Sequence, residues 1–508
     1  MSIVALIEKR ISMMEPKKII IIGAGIGGLS AALKLAHQGY SVDVFDTHET
    51  AGGKMRTIPS SAGLVDAGPT VFTLKHLFDE LFQDVGEKIE DHLQISKEKI
   101  LARHLWRDGS TLNLYNDIDH TCSEIIRFSG NRAADEFRKF NSITKDLFST
   151  FDEPILKSAS PSMLITATNT FTRLNKIASA LLPGRTLNNL VQGIFTDTRL
   201  QQLFSRYSTY VGGSPYSSPA ILSLIWQAEA LGVWRINGGM HRLAQTLKKM
   251  AEKRGAIFHF KSKVSNIVVN KNRVAGIRLL NGKEFYSNHV IFNGDPKALH
   301  EGLLGDDVKR SVSKKNVNNR SLSAYVWTFS AKTCKQDLTH HNVFFNEDYR
   351  SEFSDISAGI MPRDPTLYVC AQDRGKVIAG QDEEKFEIIM NAAPVTKETY
   401  LREKEYTSCR ETTFGNLKAM GLTFDRVPPR DALTTPRKFD QMFPASNGSL
   451  YGLNPSNIMA TFVRPQSRVK PAGLYLAGGG VHPGPGVPMA MLSGKHAAAA
   501  IIRDQTLD

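Results

Sequence analysis

The chain reads as an α/β protein built around a Rossmann-like dinucleotide-binding unit, and three features near its start predict this. The β-branched run Ile19–Ile22 leads into Gly23-Ala24-Gly25-Ile26-Gly27-Gly28. A stretch rich in Ala and Leu, Leu29 to Gly39, follows. A second apolar run, Ser41–Phe45, ends at the acid Asp46. Short β-branched runs read as buried parallel strands, and Gly39 as a helix stop. Together they form a βαβ unit of about 30 residues, the context a GxGxxG series requires.

Each glycine of the series has a physical task. Gly23 permits the tight turn. Gly25 lets the backbone approach a pyrophosphate where a Cβ would collide. Gly28 lets the helix pack closely. The helix N-terminus then offers free N–H groups and a positive dipole end to the phosphates. The Asp46 carboxylate is placed to accept hydrogen bonds from ribose hydroxyls.

Composition bounds the remainder. The 508 residues, at roughly 150 per domain, suggest about three structural units. With 41% hydrophobic and 22% charged residues, the chain is neither disordered, collagenous nor coiled coil. Cys122, Cys334, Cys370 and Cys409 form no CxxC pair, so neither a disulfide framework nor a Cys-rich metal site is expected, and a cytoplasmic setting is. No run of about 18 apolar residues offers a membrane span. The net charge of +13 favours anionic partners. A solvated basic surface accounts for this charge as well; among partners, without a nucleic-acid motif or a basic cluster interleaved with aromatics, an anionic lipid surface is preferred over nucleic acid.

Beyond the first unit, residues 75–234 read as mainly helical, with strand-like interruptions near Arg103–Tyr115. Gly255–Val269 reads as a strand pair leading toward Val274–Leu280, with a turn at Asn281-Gly282. His289–Phe292 is a short buried strand closed by Asn293-Gly294-Asp295-Pro296. Residues 321–330 and 366–371 alternate as strands do. Leu474–Leu476 is strand-like, and Met489–Arg503 reads as a closing helix.

Two further motifs narrow the dinucleotide. Gly52-Gly53-Lys54-Met55-Arg56 offers close approach and positive charge, and Asp66-Ala67-Gly68-Pro69-Thr70-Val71 follows. The order of GxGxxG, acid, GG-basic-x-Arg and D-x-G-P-T resembles the flavin amine oxidase and carotenoid desaturase superfamily. Near the end, Leu474 to Pro488, with Gly478-Gly479-Gly480-Val481-His482-Pro483 at its centre, resembles the C-terminal flavin motif of bacterial phytoene desaturases. Phe204 to Ala220 and Trp226 to His241, together with the ending GGGVHPGPGVPMAMLSG, resemble the bacterial hydroxyneurosporene (methoxyneurosporene) desaturases, which are 1-hydroxycarotenoid 3,4-desaturases.

The resemblance covers almost the whole chain from Lys17. It implies an FAD-binding flavoprotein with a mixed-sheet substrate domain and a helical membrane-associating part. FAD-binding segments are expected at 17–95, 236–305 and 446–508, a substrate and helical membrane-associating region at 96–235, and a substrate domain at 306–445. The implied FAD contacts are Gly23, Gly25, Ile26, Gly27, Gly28, Asp46, Lys54, Arg56, Thr70, Val71, Val264, Asn293, Gly478, Gly480, Val487 and Pro488. The family commonly has Glu where this chain has Asp46, which shortens the reach to the ribose by one methylene.

The implied chemistry is desaturation of an acyclic carotenoid by hydride transfer to flavin N5. Carbon 4 of a 1-hydroxy end group is allylic, so a hydride leaves there and a proton leaves from carbon 3. No general base stands out; His482, Arg235 and Glu229 are candidates by position in the motifs. Tyr207, Tyr210, Ser214 and His241 are polar choices for the substrate hydroxyl. Only one dinucleotide unit is visible, so oxygen or a quinone is the expected electron acceptor. A bilayer-dissolved substrate implies peripheral docking at the inner membrane, with the apolar and basic mixture of residues 155–200 as an interfacial segment. Phytoene desaturase, a non-redox FAD-dependent carotenoid isomerase and a flavin amine oxidase are the rival readings.

Overall fold

The computed structural model describes residues 17–159, 161, 177, 180–334, 337–375, 383–396, 405–456 and 463–507. Its central layer is a five-stranded, all-parallel sheet. Across it run Ile257–His259, Ser41–Phe45, Lys18–Ile22, Val290–Phe292 and Leu474–Leu476. Three distant parts of the chain therefore build one sheet. Successive strand residues face opposite sides. Ile19 and Ile21 join the core around the helix Ile26–His37, while Ile20 and Ile22 join the core on the other face. Burial on both faces explains why the strand is apolar from Ile19 to Ile22.

Two helices cross on the first face. Ile26–His37 follows the glycine turn, and Val487–Leu507 closes the chain. They touch backbone to backbone: a Cβ on Gly494 would lie 2.0 Å from the Gly27 carbonyl oxygen. The closing helix starts two residues before the expected Met489, and Pro488 lies in its first turn, where a missing N–H costs nothing.

The other large layer is a seven-stranded mixed sheet. Its order is Leu433–Thr434, Ser323–Ala331, Glu384–Ala392, Leu367–Ala371, His341–Phe344, Ile100–Leu105 and Thr111–Tyr115. Every residue of Ser323–Ala331 is buried. A smaller sheet pairs Phe72–Thr73 with Val233–Ile236, and so brings the D-x-G-P-T segment against Trp234.

Two sequence readings need correction. Ile257–His259 does not pair with the strand after it; it is the parallel edge of the central sheet, beside Asp43–Phe45. The hairpin is instead Val264–Asn270 with Arg273–Leu279, turned at Lys271 and Asn272, and the Asn281-Gly282 turn leads on to Glu284–Tyr286. The expected interfacial segment holds only in part: Leu182 is exposed, and Leu156, Leu181 and Ile194 are half-buried. Ile155, Ile177 and Phe195 are buried in the protein's own cores, because Phe151, Leu147 and Phe140 pack around them. Met163, Leu164, Ile165, Arg173 and Lys176 lie outside the described residues. Among the described residues, no helix is long and apolar enough to cross a membrane.

Candidate functional site

The glycine turn stands where the central sheet, the two crossed helices and the C-terminal motif meet. Gly23 has φ +102°, which favours glycine, and its N–H donates to Phe45 O at 2.8 Å. Asn293, at the end of the neighbouring strand, donates from Nδ2 to Gly23 O at 3.0 Å. Asn293 Oδ1 is buried and has no hydrogen-bond partner among the described residues. Gly25 precedes the helix with extended backbone. No side chain caps that helix, and no acid lies in its first turn. Its leading N–H groups are therefore offered outward, the donor set that suits an anion. A Cβ on Gly25 would come 3.0 Å from Asn293 Nδ2, so a side chain would fill the approach.

Two other motifs close on the same turn. Gly52 N–H donates to Ala24 O at 2.9 Å, and a Cβ on Gly53 would lie 3.1 Å from Gly25 Cα. From the C-terminal side, Gly478 N lies 2.9 Å from where a Gly27 Cβ would be, and its N–H donates to Ser493 Oγ at 2.7 Å. Gly480 packs against the Pro296 ring, and Val487 and Pro488 are buried at the start of the closing helix. The chain thus brings Gly23, Gly25, Ile26, Gly27, Gly28, Asn293, Gly478 and Gly480 together, although they are some 450 residues apart in sequence. The donors and the open approach at Gly25 fit a dinucleotide pyrophosphate, whereas the unspent Asn293 oxygen, an acceptor, suits a hydroxyl of the same ligand.

Asp46 is buried at the end of its strand. Its Oδ2 accepts from Ala24 N at 2.7 Å; its Oδ1 accepts from His48 N at 2.8 Å and meets His48 Nδ1 at 2.9 Å. Burial alone would raise its carboxyl pKa, but His48 and the two backbone amides outweigh that and hold it below the ordinary range. The same bond to Asp46 raises the His48 imidazole. The carboxylate thus ties down the glycine turn and keeps lone pairs for ribose hydroxyls. Val264 is buried in the core beside Phe45, two residues beyond Ser262, whose N–H donates to Asp46 O at 2.8 Å.

Lys54 and Arg56 carry more internal duties than the sequence suggests. Lys54 Nζ donates to Leu450 O at 2.6 Å and lies 5.5 Å from the Phe443 ring centre. Burial lowers its pKa to about 8, with Asp295 opposing that shift and Arg320 adding to it. Arg56 Nη2 donates to Thr434 Oγ1 at 2.7 Å, and its guanidinium lies over Phe439. Glu387 is a residue the sequence reading missed. Burial, and then Asp66, push its carboxyl well above the ordinary range, against the pull of Arg56 and the Gly68 amide. The signal available was a lone acid between Phe386 and Ile388 in a buried strand.

Asp66 opens the D-x-G-P-T segment and caps a helix. Its Oδ2 accepts from Met240 N at 2.6 Å and its Oδ1 from His241 N at 3.2 Å, at the start of His241–Glu252. Gln372 clamps its backbone from both sides. Thr70 Oγ1 meets Tyr368 OH at 2.8 Å, and Val71 packs on the Phe-rich core. A cavity of about 50 Å³ opens here, lined by Asp66, Thr70, Arg235, Gly239, Cys370 and Gln372 among others.

The candidates for acid–base chemistry are engaged by the fold itself. Arg235 lies on the cavity but donates to Arg374 O at 2.6 Å and pairs with Glu98. Buried His482 pairs through Nε2 with Ser158 O at 2.9 Å and stacks near His496. Glu229 is buried and accepts from Tyr207 OH at 2.7 Å and from Tyr210 OH. His241 Nδ1 meets Met55 O at 2.6 Å, and Ser214 Oγ accepts from Tyr216 N at 3.3 Å. His340, His341 and Cys370 bring three ligand-type atoms within 4.8 Å of one another, a grouping invisible in sequence because strand pairing creates it. Burial first, then Arg235 and Arg206, lower His341 to about 3, and the same two cations oppose a metal ion there.

Comparison with known proteins agrees with this geometry. The family described as flavin containing amine oxidoreductase matches residues 26–329. The chain is 46% identical over 487 residues to a hydroxyneurosporene desaturase of Cereibacter sphaeroides, covering 96% of this chain and 98% of that one. It is 31% identical over 496 residues to a 1-hydroxycarotenoid 3,4-desaturase of a Flavobacterium species, covering 96% and 99%. Among solved structures, an oxidoreductase from Methanosarcina mazei superposes with a TM-score of 0.62 at 14% identity, covering 96% of this chain and 100% of that one, a likeness of fold.

Proposed function

The chain belongs to the flavin containing amine oxidoreductase family, and from that premise we propose that it is an FAD-dependent desaturase of acyclic carotenoids bearing a hydroxyl at carbon 1, forming the 3,4 double bond. The observation that carries this reading is the near-full-length similarity to hydroxyneurosporene and 1-hydroxycarotenoid 3,4-desaturases. The convergence of three glycine-rich motifs on one helix N-terminus supports it.

The Ile26, Gly27 and Gly28 amides would hold the pyrophosphate of FAD, Asp46 a ribose, and the Val264 backbone the adenine. Asn293 would stand beside the pyrophosphate, and Lys54, Arg56, Thr70, Val71, Gly478, Gly480, Val487 and Pro488 would line the flavin end. FAD, when bound, supplies a hydride acceptor for a substrate with no polar handle at its reacting carbon. The reaction takes two hydrogens from the substrate: a hydride from allylic carbon 4, taken up by that acceptor, and a proton from carbon 3, released to solvent, as the new double bond forms between them. The protein's part is to orient the end group beside Thr70 and to keep water out, with Tyr368, Ile236 and Met240 as walls. Oxygen or a quinone removes the electrons. The +13 charge draws the protein to an anionic membrane surface, where the substrate is dissolved, and it docks peripherally on the inner membrane.

The test supplies FAD-loaded protein with 1-hydroxyneurosporene or phytoene, equally dispersed, and follows product by mass and absorbance. The hydroxylated substrate yields a product two hydrogens lighter, absorbing at longer wavelength, at least about tenfold faster than phytoene reacts. Equal rates on phytoene would overturn the assignment.

A further inference from the structure

We propose that Arg206 and Tyr210, with Glu229 behind them, form the subsite that binds the tertiary hydroxyl of the substrate; this rests on the desaturase reading above. Arg206 ends the helix Thr198–Ser205 and is only partly buried. Its guanidinium lies 5.3 Å from the Tyr210 ring centre and 5.7 Å from that of Tyr368. A guanidinium carries five N–H donors. Among the described residues, the hydrogen bond Arg206 makes is to Tyr210 OH, at 3.3 Å. Most of its donors therefore remain for an acceptor that approaches from outside the fold.

The direction of each proton is fixed from the rear. Glu229 accepts from both Tyr207 OH and Tyr210 OH. With its own proton committed to Glu229, the Tyr210 oxygen acts only as an acceptor toward the front, where it takes the Arg206 N–H at 3.3 Å and keeps a second lone pair. A tertiary alcohol both accepts and donates, and it matches this pair. Its oxygen takes an Arg206 N–H, and its proton goes to Tyr210. Burial lowers the Arg206 pKa, but Tyr210, Tyr349 and Glu229 outweigh it and the guanidinium stays charged. The buried Tyr349 hydroxyl has no partner among the described residues, so further unspent polarity lies at the same place.

Position supports the same assignment. Carbon 1 and carbon 4 are only three bonds apart, so the hydroxyl partner must stand close to the reacting carbon. Tyr368, over which Arg206 lies, bonds through its hydroxyl to Thr70 of the D-x-G-P-T segment at 2.8 Å. Ser214 and His241 are weaker choices, since Ser214 Oγ serves the Tyr216 amide, and His241 spends Nδ1 on Met55 O and Nε2 on Gln245.

The experiment measures kcat/KM for 1-hydroxyneurosporene and for neurosporene in the FAD-loaded wild type, Tyr210→Phe and Arg206→Gln. Flavin content and melting temperature are recorded for each. The wild type prefers the hydroxylated substrate. Both variants reduce that preference about tenfold to a hundredfold, the cost of leaving a polar group unpaired on either side. Tyr210→Phe keeps the aromatic packing and so decides the matter if Arg206→Gln folds poorly. A wild type that prefers the hydroxylated substrate and a Tyr210→Phe variant that keeps that preference would overturn the subsite alone. A wild type that desaturates both substrates equally would overturn the specificity for the carbon-1 hydroxyl and the subsite with it, and one that desaturates neither would overturn the desaturase reading.

Discussion

Gly28→Ala yields protein that has lost its flavin. The change looks harmless, because alanine in a helix is normally worth about 1 kcal/mol over glycine. Here the added Cβ would lie 2.1 Å from the Gly23 carbonyl oxygen and 3.0 Å from Asn293 Nδ2. The first of these is backbone and cannot swing aside. The same carbonyl accepts the Asn293 bond at 3.0 Å, so relieving the clash breaks that bond or shifts the turn. Overpacking costs about 1–3 kcal/mol, and the displaced turn is the one proposed to hold the pyrophosphate. Flavin retained through gel filtration falls by about tenfold or more, with a lower melting temperature. Gly415→Ala is the contrast: that helical glycine has nothing within 4 Å of its Cβ position, and the variant is slightly more stable. A Gly28→Ala protein with full flavin and an unchanged melt would contradict the arrangement of the turn.

Asp66→Ala has the second-largest expected effect, on stability. Asp66 is buried and accepts from two amides that open the helix His241–Glu252, which has no other side-chain cap. Gly239, at φ +92°, lies so close that a Cβ would be 2.1 Å from Asp66 Oδ2. Removing the carboxylate leaves buried donors unpaired, at about 1–3 kcal/mol each. Against a total stability of about 5–15 kcal/mol, that is a large fraction. The denaturant midpoint of the flavin-loaded protein falls clearly, and Asp66→Asn, which keeps one acceptor, falls less. Equal midpoints for wild type and Asp66→Ala would show that the cap carries no weight.

The βαβ unit was legible because its information is local. Ile19–Ile22, the glycines and Asp46 each follow from short-range periodicity and turn chemistry, and the structure places them as expected. Sheet order was not legible. Ile257–His259 has the pattern of a hairpin strand, and only the distant Asp43–Phe45 edge makes it a parallel one. Ile100–Leu105 likewise joins His341–Phe344 across more than 200 residues. The site divides in the same way. The glycine motifs announce themselves, whereas Arg206, Tyr368 and Glu387 become neighbours of Thr70 and Asp66 only once strands and helices are assembled. The interfacial reading failed for Ile155 and Phe195 because a mixture of apolar and basic residues describes a protein core flanked by ion pairs as well as a membrane face. Lys157 pairs with Asp152 and Glu153 there.

The most direct test of the central claim is a single turnover without oxygen. FAD-loaded protein is mixed anaerobically with excess 1-hydroxyneurosporene, and the oxidised-flavin absorbance is followed beside the product. A desaturase loses that absorbance and forms one new double bond per flavin, and the absorbance returns when oxygen or a quinone is admitted. Product formed with the flavin still oxidised, or no product and no loss of absorbance, would contradict hydride transfer from the carotenoid as this protein's reaction.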